Sequence, residues 1–149
     1  MDENGPEGGG LGYLLCRAAQ AWRAEVADAL RPHDVSPAQF LVLVALLRNA
    51  AAAGRRPPTQ RQIGKRTGMD ANTASQVMRS LTVRGLIERV AHPDDGRALA
   101  LSLTPQGTSV THTCSTLVRA VNRHFFASVA GSELAHALRT LIDSSQEHR

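Results

Sequence analysis

The sequence of 149 residues is poor in cysteine: it has only Cys16 and Cys114, and these match no zinc-binding or redox spacing. Such sparse usage argues against a disulfide-stabilised secreted domain and favours a reducing compartment. The longest apolar run, FLVLVALL at 40–47, is far shorter than the roughly 20 residues that span a bilayer. We therefore expect a cytoplasmic protein without a membrane partner, and a chain of this length can bury a core without a metal or cofactor.

The motifs of common enzymes are also missing. The sequence contains no Gly-rich phosphate-binding loop and no nucleophile elbow. Asp94 and Asp95 are adjacent carboxylates near His92, but they fall in a predicted turn rather than in the walled site that acid–base catalysis requires. His112 and Cys114 lie two positions apart on a predicted helix, so they face different directions and make a poor metal pair. We predict that the chain is not an enzyme.

Charge is distributed unevenly along the chain, whose net charge is +4. Residues 1–10, MDENGPEGGG, are acidic and Gly-rich and lack the basic flank and apolar core of a signal peptide, so we expect a disordered tail there. Residues 55–97 contain nine Lys or Arg and four acidic residues, a balance of +5, whereas the remainder of the chain has a balance of −1. A contiguous basic segment of this kind favours a nucleic-acid partner.

The periodicity of apolar residues predicts a mostly helical chain. Apolar residues at 11, 15, 18, 22, 26 and 29 form one stripe of a long amphipathic helix. Ser36-Pro37-Ala38-Gln39 is a capping box with proline at the first helical position, which predicts that the apolar run after it is a buried helix. Thr59-Gln60-Arg61-Gln62 is a second capping box, and it opens a short helix that ends before Gly68. Asp70 caps the next helix, which runs to about Val83.

This second short helix has two different faces. Ala74, Val77, Met78 and Leu81 follow the i, i+3, i+4, i+7 pattern of a stripe that faces a core. The opposite side carries hydrogen-bonding side chains of a length suited to base edges: Asn72, Thr73, Ser75, Gln76 and Arg79. Asn and Gln pair bidentately with adenine, and Arg pairs with guanine. An ordinary solvated helix face has the same composition, so the face alone leaves both interpretations open.

The residues after Gly85 predict a β-hairpin and two further helices. LIERV and LALSL alternate apolar and polar residues as half-buried strands do, and Asp-Gly lies in the connecting turn. Thr104-Pro105 then starts a helix with apolar positions at 110, 114, 117, 121 and 125, and a last helix begins near Ser132. The predicted fold class is therefore mainly α with a small β-hairpin.

This order of elements resembles the MarR family of winged helix-turn-helix transcription regulators. The resemblance covers the chain from about Leu11 to the C-terminus and is strongest in GLIERVAHPDDGRALALSLTPQG, residues 85–107, and SPAQFLVLVALL, residues 36–47. It implies a homodimer that binds an inverted repeat in double-stranded DNA. The implied parts are a tail at 1–10, a winged helix-turn-helix DNA-binding domain at 36–103, and a helical dimerisation region at 11–35 and 104–149.

In the family, the hairpin is the wing and carries an Asp-x-Arg turn, here Asp95-Gly96-Arg97. The resemblance implies that Arg97 enters the minor groove, where negative potential favours an arginine, and that Asp95 holds it by a charge-assisted hydrogen bond. A solvated hairpin tip with a local ion pair is the alternative. The helix after the glycine turn would enter the major groove. The expected DNA-binding residues are Thr59, Arg61, Asn72, Thr73, Ser75, Gln76, Arg79, Asp95 and Arg97.

The terminal helices carry apolar stripes that exceed what the central segment can cover. The stripes at 11–29, 110–125 and 134–142 fit the interleaved dimer helices of the family, and an intramolecular bundle is the alternative. Family members often repress transcription until a small aromatic acid or an oxidant releases them, and the resemblance implies repression relieved by a ligand here. A winged-helix module that contacts only proteins, without specific DNA binding, is a further alternative.

The sequence assigns no ligand-binding residue. Tyr13, Arg17, Trp22, His33 and Phe40 can line a crevice between the dimer helices and the DNA-binding lobe, although Trp22 and Phe40 also fit a core and His33 a solvated helix end.

Cys16 invites comparison with the reactive cysteine of the peroxide sensors in the family, so a thiol-based oxidant sensor is an alternative function. It is displaced by about one helical turn from that position, and the supporting tyrosines are absent. We therefore expect both Cys16 and Cys114 to be buried apolar residues.

Overall fold

The computed structural model describes residues 10–91 and 99–147; residues 1–9, 92–98 and 148–149 lie outside the described residues. The described chain forms six α-helices, a short 3-10 helix and a two-stranded antiparallel sheet. The predicted class, mainly α with a small β-hairpin, is confirmed. In chain order the elements are α1 (Gly10–Leu30), the 3-10 helix (Arg31–His33), α2 (Pro37–Ala51), α3 (Gln60–Thr67), α4 (Ala71–Val83), β1 (Ile87–Ala91), β2 (Leu99–Leu103), α5 (Pro105–Phe125) and α6 (Gly131–Glu147).

Local capping sets where α2 and α3 begin, as the sequence predicts. The Ser36 hydroxyl accepts a hydrogen bond from the Gln39 N–H at 3.1 Å, and the Gln39 side chain accepts one from the Ser36 N–H at 2.9 Å. Thr59 and Gln62 make the same reciprocal pair at 3.2 and 2.9 Å. Each box satisfies two N–H groups that a helix start would otherwise leave without a partner.

The core of the central lobe, which comprises α2 to β2, is built from one face of each of its helices and from the hairpin. The fully buried residues of this core include Leu43 of α2, Ile63 of α3, and Met78 and Leu81 of α4. Leu101 of β2 belongs to the same cluster and is 2% exposed. Burying one such side chain stabilises the fold by about 1.5–3 kcal/mol. This shared core fixes α4 against α2 and α3, so the outward face of α4 has a defined position.

The hairpin is tied to the start of α3 as well as to itself. β1 and β2 pair antiparallel from Ile87↔Leu103 to Ala91↔Leu99. Thr59 forms an isolated bridge with Ala100, and the Leu101 N–H donates to the carbonyl of Pro58 at 2.8 Å. The N-terminal end of α3 and the hairpin are therefore held together by backbone hydrogen bonds.

The two longest helices, α1 and α5, pack against each other and against the central lobe. Val26 and Leu30 near the end of α1 are fully buried with Cys114 of α5. The indole N–H of Trp22, a half-buried residue against this core, donates to the side chain of Asn122 at 2.8 Å. None of the helices within residues 10–91 and 99–147 is both long and apolar enough to cross a membrane.

The N-terminal half of α1 and much of α6 are left uncovered by the rest of the described chain. Leu11, Leu14 and Leu15 are at least half exposed. No residue of α6 is buried, and Leu141 and Ile142 are 59% and 55% exposed. These are large apolar side chains on regular helices, and their exposure to water on α1 and on α6 is unfavourable.

The two cysteines lie in different environments. Cys114 is buried, as predicted, and burial raises the pKa of its thiol, opposed in part by the positive charge of Arg84. A neutral thiol is a weak nucleophile, so Cys114 acts as a core residue. The prediction that Cys16 is buried is wrong for the described chain, in which it is exposed on the first half of α1. Helical periodicity identifies an apolar stripe but does not say whether the same chain covers it.

Candidate nucleic-acid interface

A tight turn joins α3 to α4 and sets the angle between them. Gly68 ends α3 with φ 72°, a left-handed conformation that glycine adopts without strain. The Met69 N–H donates a hydrogen bond to the Gly64 carbonyl at 3.1 Å. Gly64 is buried, and a Cβ placed there would lie only 3.6 Å from the Cβ of Ala74. The two helices therefore cross closely in a helix-turn-helix arrangement.

The structure places the polar residues predicted on α4 on its outer side. Asn72, Thr73, Gln76 and Arg79 are exposed and Ser75 is half-buried, whereas the opposite side carries the buried Ala74, Met78 and Leu81 and the partly buried Val77. Both faces of α4 therefore agree with the pattern read from the sequence. The outer face presents amide, hydroxyl and guanidinium groups along about two turns of helix.

Thr73 has a structural task in addition to its place on this face. The Asp70 carboxylate accepts hydrogen bonds from the Thr73 N–H at 2.9 Å and from the Thr73 hydroxyl at 2.6 Å. These bonds lower the pKa of Asp70, and the bond from the Thr73 hydroxyl has the larger effect. A lowered pKa keeps the cap charged well into the acidic range, and its contribution to stability is lost only as the pH falls through the folded-state pKa. Thr73 thus helps to fix the N-terminus of α4.

Two further predicted DNA-binding residues, Thr59 and Arg61, lie at the start of α3. Thr59 is half-buried, caps α3 and bridges to β2, while Arg61 is exposed on the first turn of α3. Asp95 and Arg97 lie outside the described residues, so their predicted contact stays a prediction. The exposed basic residues within the described part of the basic segment are Arg55, Arg56, Arg61, Lys65, Arg66, Arg79 and Arg89.

Arg84, for which the sequence predicts no role, fastens the C-terminal end of α4 to the junction between α1 and α2. Its guanidinium donates to the carbonyls of Asp34 and His33, the latter at 3.3 Å, and its distance to the Asp34 carboxylate is 3.9 Å. Gln39 accepts from Arg84 at 3.4 Å and donates to the Ser80 hydroxyl at 3.1 Å. Arg84 therefore links the position of α4 to that of the α1–α2 junction.

Comparison with known proteins shows what this arrangement is similar to. Residues 33–98 match the sequence profile of the MarR family. The uncharacterized HTH-type transcriptional regulator YdcH of Bacillus subtilis is 31% identical over 122 residues, which is 82% of each chain. The structure of a probable transcriptional regulator from Pseudomonas aeruginosa is 34% identical and superposes with a TM-score of 0.74, covering 90% of this chain and 95% of that one.

A third similar protein is a mutant MarR from E. coli in complex with operator DNA, at 26% identity and a TM-score of 0.74, over 91% of this chain and 92% of that one. These proteins share the fold along most of the described chain, which confirms the winged helix-turn-helix architecture. The prediction of a regulator rather than an enzyme is confirmed as well. The chain belongs to the MarR family of winged helix-turn-helix transcriptional regulators.

Proposed function

We propose that the protein is a dimeric, sequence-specific DNA-binding regulator that represses transcription until a small molecule releases it. The observation that carries this proposal is the outer face of α4. The side chains of Asn72, Gln76 and Arg79 are exposed there and make no hydrogen bond to other described residues. Free amide and guanidinium groups on a helix held by its opposite face are suited to base edges in the major groove. The complex of the similar MarR protein with operator DNA supports DNA binding by this chain.

In this proposal α3 and the hairpin hold the protein on the DNA backbone while α4 reads the sequence. Thr59 and Arg61 lie at the N-terminal end of α3, where N–H groups and a positive helix end favour phosphate oxygens. Asp95 and Arg97 are proposed to complete the contact from the hairpin turn. Since β2 is bonded to Pro58, the start of α3 and the hairpin would reach the backbone together.

Selection of random duplex DNA by the purified protein, at two salt concentrations, tests the proposed function. We expect an inverted repeat with half-sites about one helical turn apart. Gln76→Ala is expected to relax the preference at one position of each half-site and to cost about 1–3 kcal/mol for the preferred base. The control is Arg61→Ala, which should weaken all sequences alike and lower the salt slope by about one per protomer.

Three results would contradict the proposal. If Gln76→Ala selects the same sequence with unchanged affinity, α4 does not read the bases. If the wild-type protein binds DNA in a salt-sensitive way but enriches no sequence, it acts as an architectural protein. Failure to bind DNA at low salt would support the protein-interaction alternative.

We propose that two copies associate through the uncovered helix surfaces. Large apolar side chains of the first half of α1 and of α6 are exposed in the single chain, and exposed apolar patches of this kind are typical of association surfaces. Packing against a second copy would bury these surfaces. A two-fold dimer would also place two α4 helices for the two half-sites of an inverted repeat.

A cavity of about 440 Å³ beside Arg84 is the proposed place for a releasing ligand. Arg31 and Arg84 supply two guanidinium groups, Val35 and Pro37 supply apolar surface, and Asp34 also lines the cavity. The two cations and the apolar surface suit a small aromatic carboxylate, which would compete with the exposed Asp34 carboxylate for Arg84. Tyr13, Arg17, Trp22, His33 and Phe40, considered from the sequence as crevice residues, are not among those that line it.

The protein would release DNA if the Arg84 guanidinium bonded to the ligand carboxylate instead of to the carbonyls of His33 and Asp34. The end of α4 would then lose its bonds to the α1–α2 junction, and a ligand can shift the equilibrium only by such a difference between states. We expect 4-hydroxybenzoate to lower operator affinity of the wild-type protein. In the Arg84→Met variant, operator affinity should be nearly the same with and without 4-hydroxybenzoate. An equal decrease in both proteins would show that Arg84 is not the ligand's partner.

A further inference from the structure

A second cavity, of about 450 Å³, lies where the end of α2 and the α2–α3 loop meet α3. Asn49 comes from α2, Arg55 and Arg56 from the loop, and Gln62 and Arg66 from α3. Three of its lining residues are arginines, and no Asp or Glu lines it among residues 10–91 and 99–147. Cavities whose lining combines several cations with no carboxylate attract anions.

Asn49 builds the inner wall of this cavity. It is one of the few buried polar residues in the described chain, with 5% of its surface exposed. Its side-chain N–H donates to the carbonyl of Arg56 at 2.9 Å, and its oxygen accepts from the Arg66 guanidinium at 2.8 Å. A buried amide costs stability unless it is fully bonded, and here the two bonds fix the loop backbone and the guanidinium of Arg66 in place.

The loop is shaped so that its arginines reach the same cavity. Gly54 adopts φ 72°, and the Arg55 N–H donates to the Ala52 carbonyl at 3.2 Å, which turns the chain back towards α3. Arg55 is exposed at the cavity, while Arg66 is held by Asn49. A guanidinium carries five N–H donors in a planar fork, a geometry that matches phosphate oxygens bidentately.

The position of the cavity relates it to the proposed DNA surface. Gln62 lines the cavity, and its side-chain oxygen also accepts the hydrogen bond from the Thr59 N–H at the N-cap of α3. The cavity therefore adjoins the end of α3 that is proposed to face the DNA backbone. We propose that it binds a phosphate group through Arg55 and Arg66, and that the phosphate belongs to the DNA backbone beside α3. The choice of DNA as the source rests on the proposed function.

The double variant Arg55→Gln/Arg66→Gln tests the site on the operator duplex recovered by selection. If one backbone phosphate per protomer is lost, the slope of log affinity against log salt should fall by about 0.9 per protomer. The control is Arg23→Gln/Arg48→Gln, which removes the same charge from exposed arginines outside the cavity and should leave the slope within error. Because Arg66 is bonded to Asn49, the single variant Arg55→Gln, at an exposed position, keeps the test valid if the double variant is unstable.

Calorimetric titration with inorganic phosphate and with ADP distinguishes the two sources of phosphate. Suppose that the wild-type protein binds phosphate or ADP, that the double variant does not, and that the double variant has the same salt slope on DNA as the control variant. The site would then bind the phosphate of a small molecule rather than that of DNA. A double variant that matches the control in both assays overturns the proposal. If the wild-type protein binds no duplex, the proposed function fails, and the titration alone decides whether the cavity binds phosphate.

Discussion

The Gly107→Ala variant is expected to lose at least about 3 kcal/mol of folding free energy, because a Cβ at this position has no space. An ideal Cβ on Gly107 would lie 1.8 Å from the carbonyl oxygen of Leu86 and 2.8 Å from its carbon. Both are backbone atoms and cannot rotate away as a side chain can. The first turn of α5 must therefore separate from the residues that lead into β1, or the core must deform.

The contact is tight because several hydrogen bonds hold the two segments together. The Thr104 N–H donates to the Leu86 carbonyl at 3.1 Å, and the Thr104 hydroxyl donates to the Gly85 carbonyl at 2.6 Å. The same hydroxyl accepts from the Gly107 N–H at 2.9 Å, and so caps α5. Leu86 and Ile87 are almost fully buried, so a displacement at this corner reaches the core and the start of the hairpin.

Thermal and urea denaturation measure this loss. At this chain length each kcal/mol lowers the Tm by about 2–4 °C, so we expect a decrease of roughly 6 °C or more. Gly131→Ala is the matched control, since its ideal Cβ meets no described atom within 4 Å beyond its own residue, its chain neighbours and its own helix backbone. It should stay within about 1 kcal/mol of the wild type. Equal stabilities of the two variants would mean that the first turn of α5 does not pack closely against the backbone of Leu86.

Local features of this fold could be predicted from the sequence because their physical causes are local. The capping boxes at Ser36 and Thr59 need only the residue at the N-cap and one three positions later. The two faces of α4 follow from helical periodicity, and both lie as predicted. The polar candidates on α4 could be placed for the same reason.

Features that depend on distant segments could not be predicted in this way. Gly107 resembles any glycine in the first turn of a helix until Leu86 is placed against it. Arg84 resembles an ordinary basic residue at a helix end, and its partners lie about fifty residues earlier in the chain. The bonds of Asn49 to the α2–α3 loop and to Arg66 likewise depend on the packing of α2 on α3. The exposure of Cys16 depends on which chain covers α1.

Leu141→Glu is expected to convert the proposed dimer into a monomer and to lower operator affinity by roughly 10²–10⁴-fold. Leu141 is 59% exposed in the single chain, so a carboxylate there costs the isolated fold little. In a dimer that covers α6, the same carboxylate would be buried without a partner and would oppose association. Light scattering at micromolar concentration gives the oligomeric state, and circular dichroism checks the helical content.

Val83→Glu provides the control for oligomeric state. Val83 is 83% exposed at the end of α4 and belongs to neither uncovered terminal helix surface, so the same type of substitution should leave the dimer intact. Leu14→Glu, on the uncovered half of α1, should behave like Leu141→Glu. If both variants remain dimeric with wild-type affinity, the terminal helices pack elsewhere and the intramolecular bundle is the better description.

The DNA selected by the Leu141→Glu monomer separates association from base reading. The α4 face and its supports, Asp70 at one end and Arg84 at the other, come from a single chain. A monomer should therefore enrich one half-site with the same base preference as the wild type, and the inverted repeat should disappear. The affinity lost by dissociation is the advantage of binding two linked half-sites, which requires no change in any contact to a base. A monomer that enriches no sequence at all would instead show that α4 is positioned for reading only when the second copy packs against the chain.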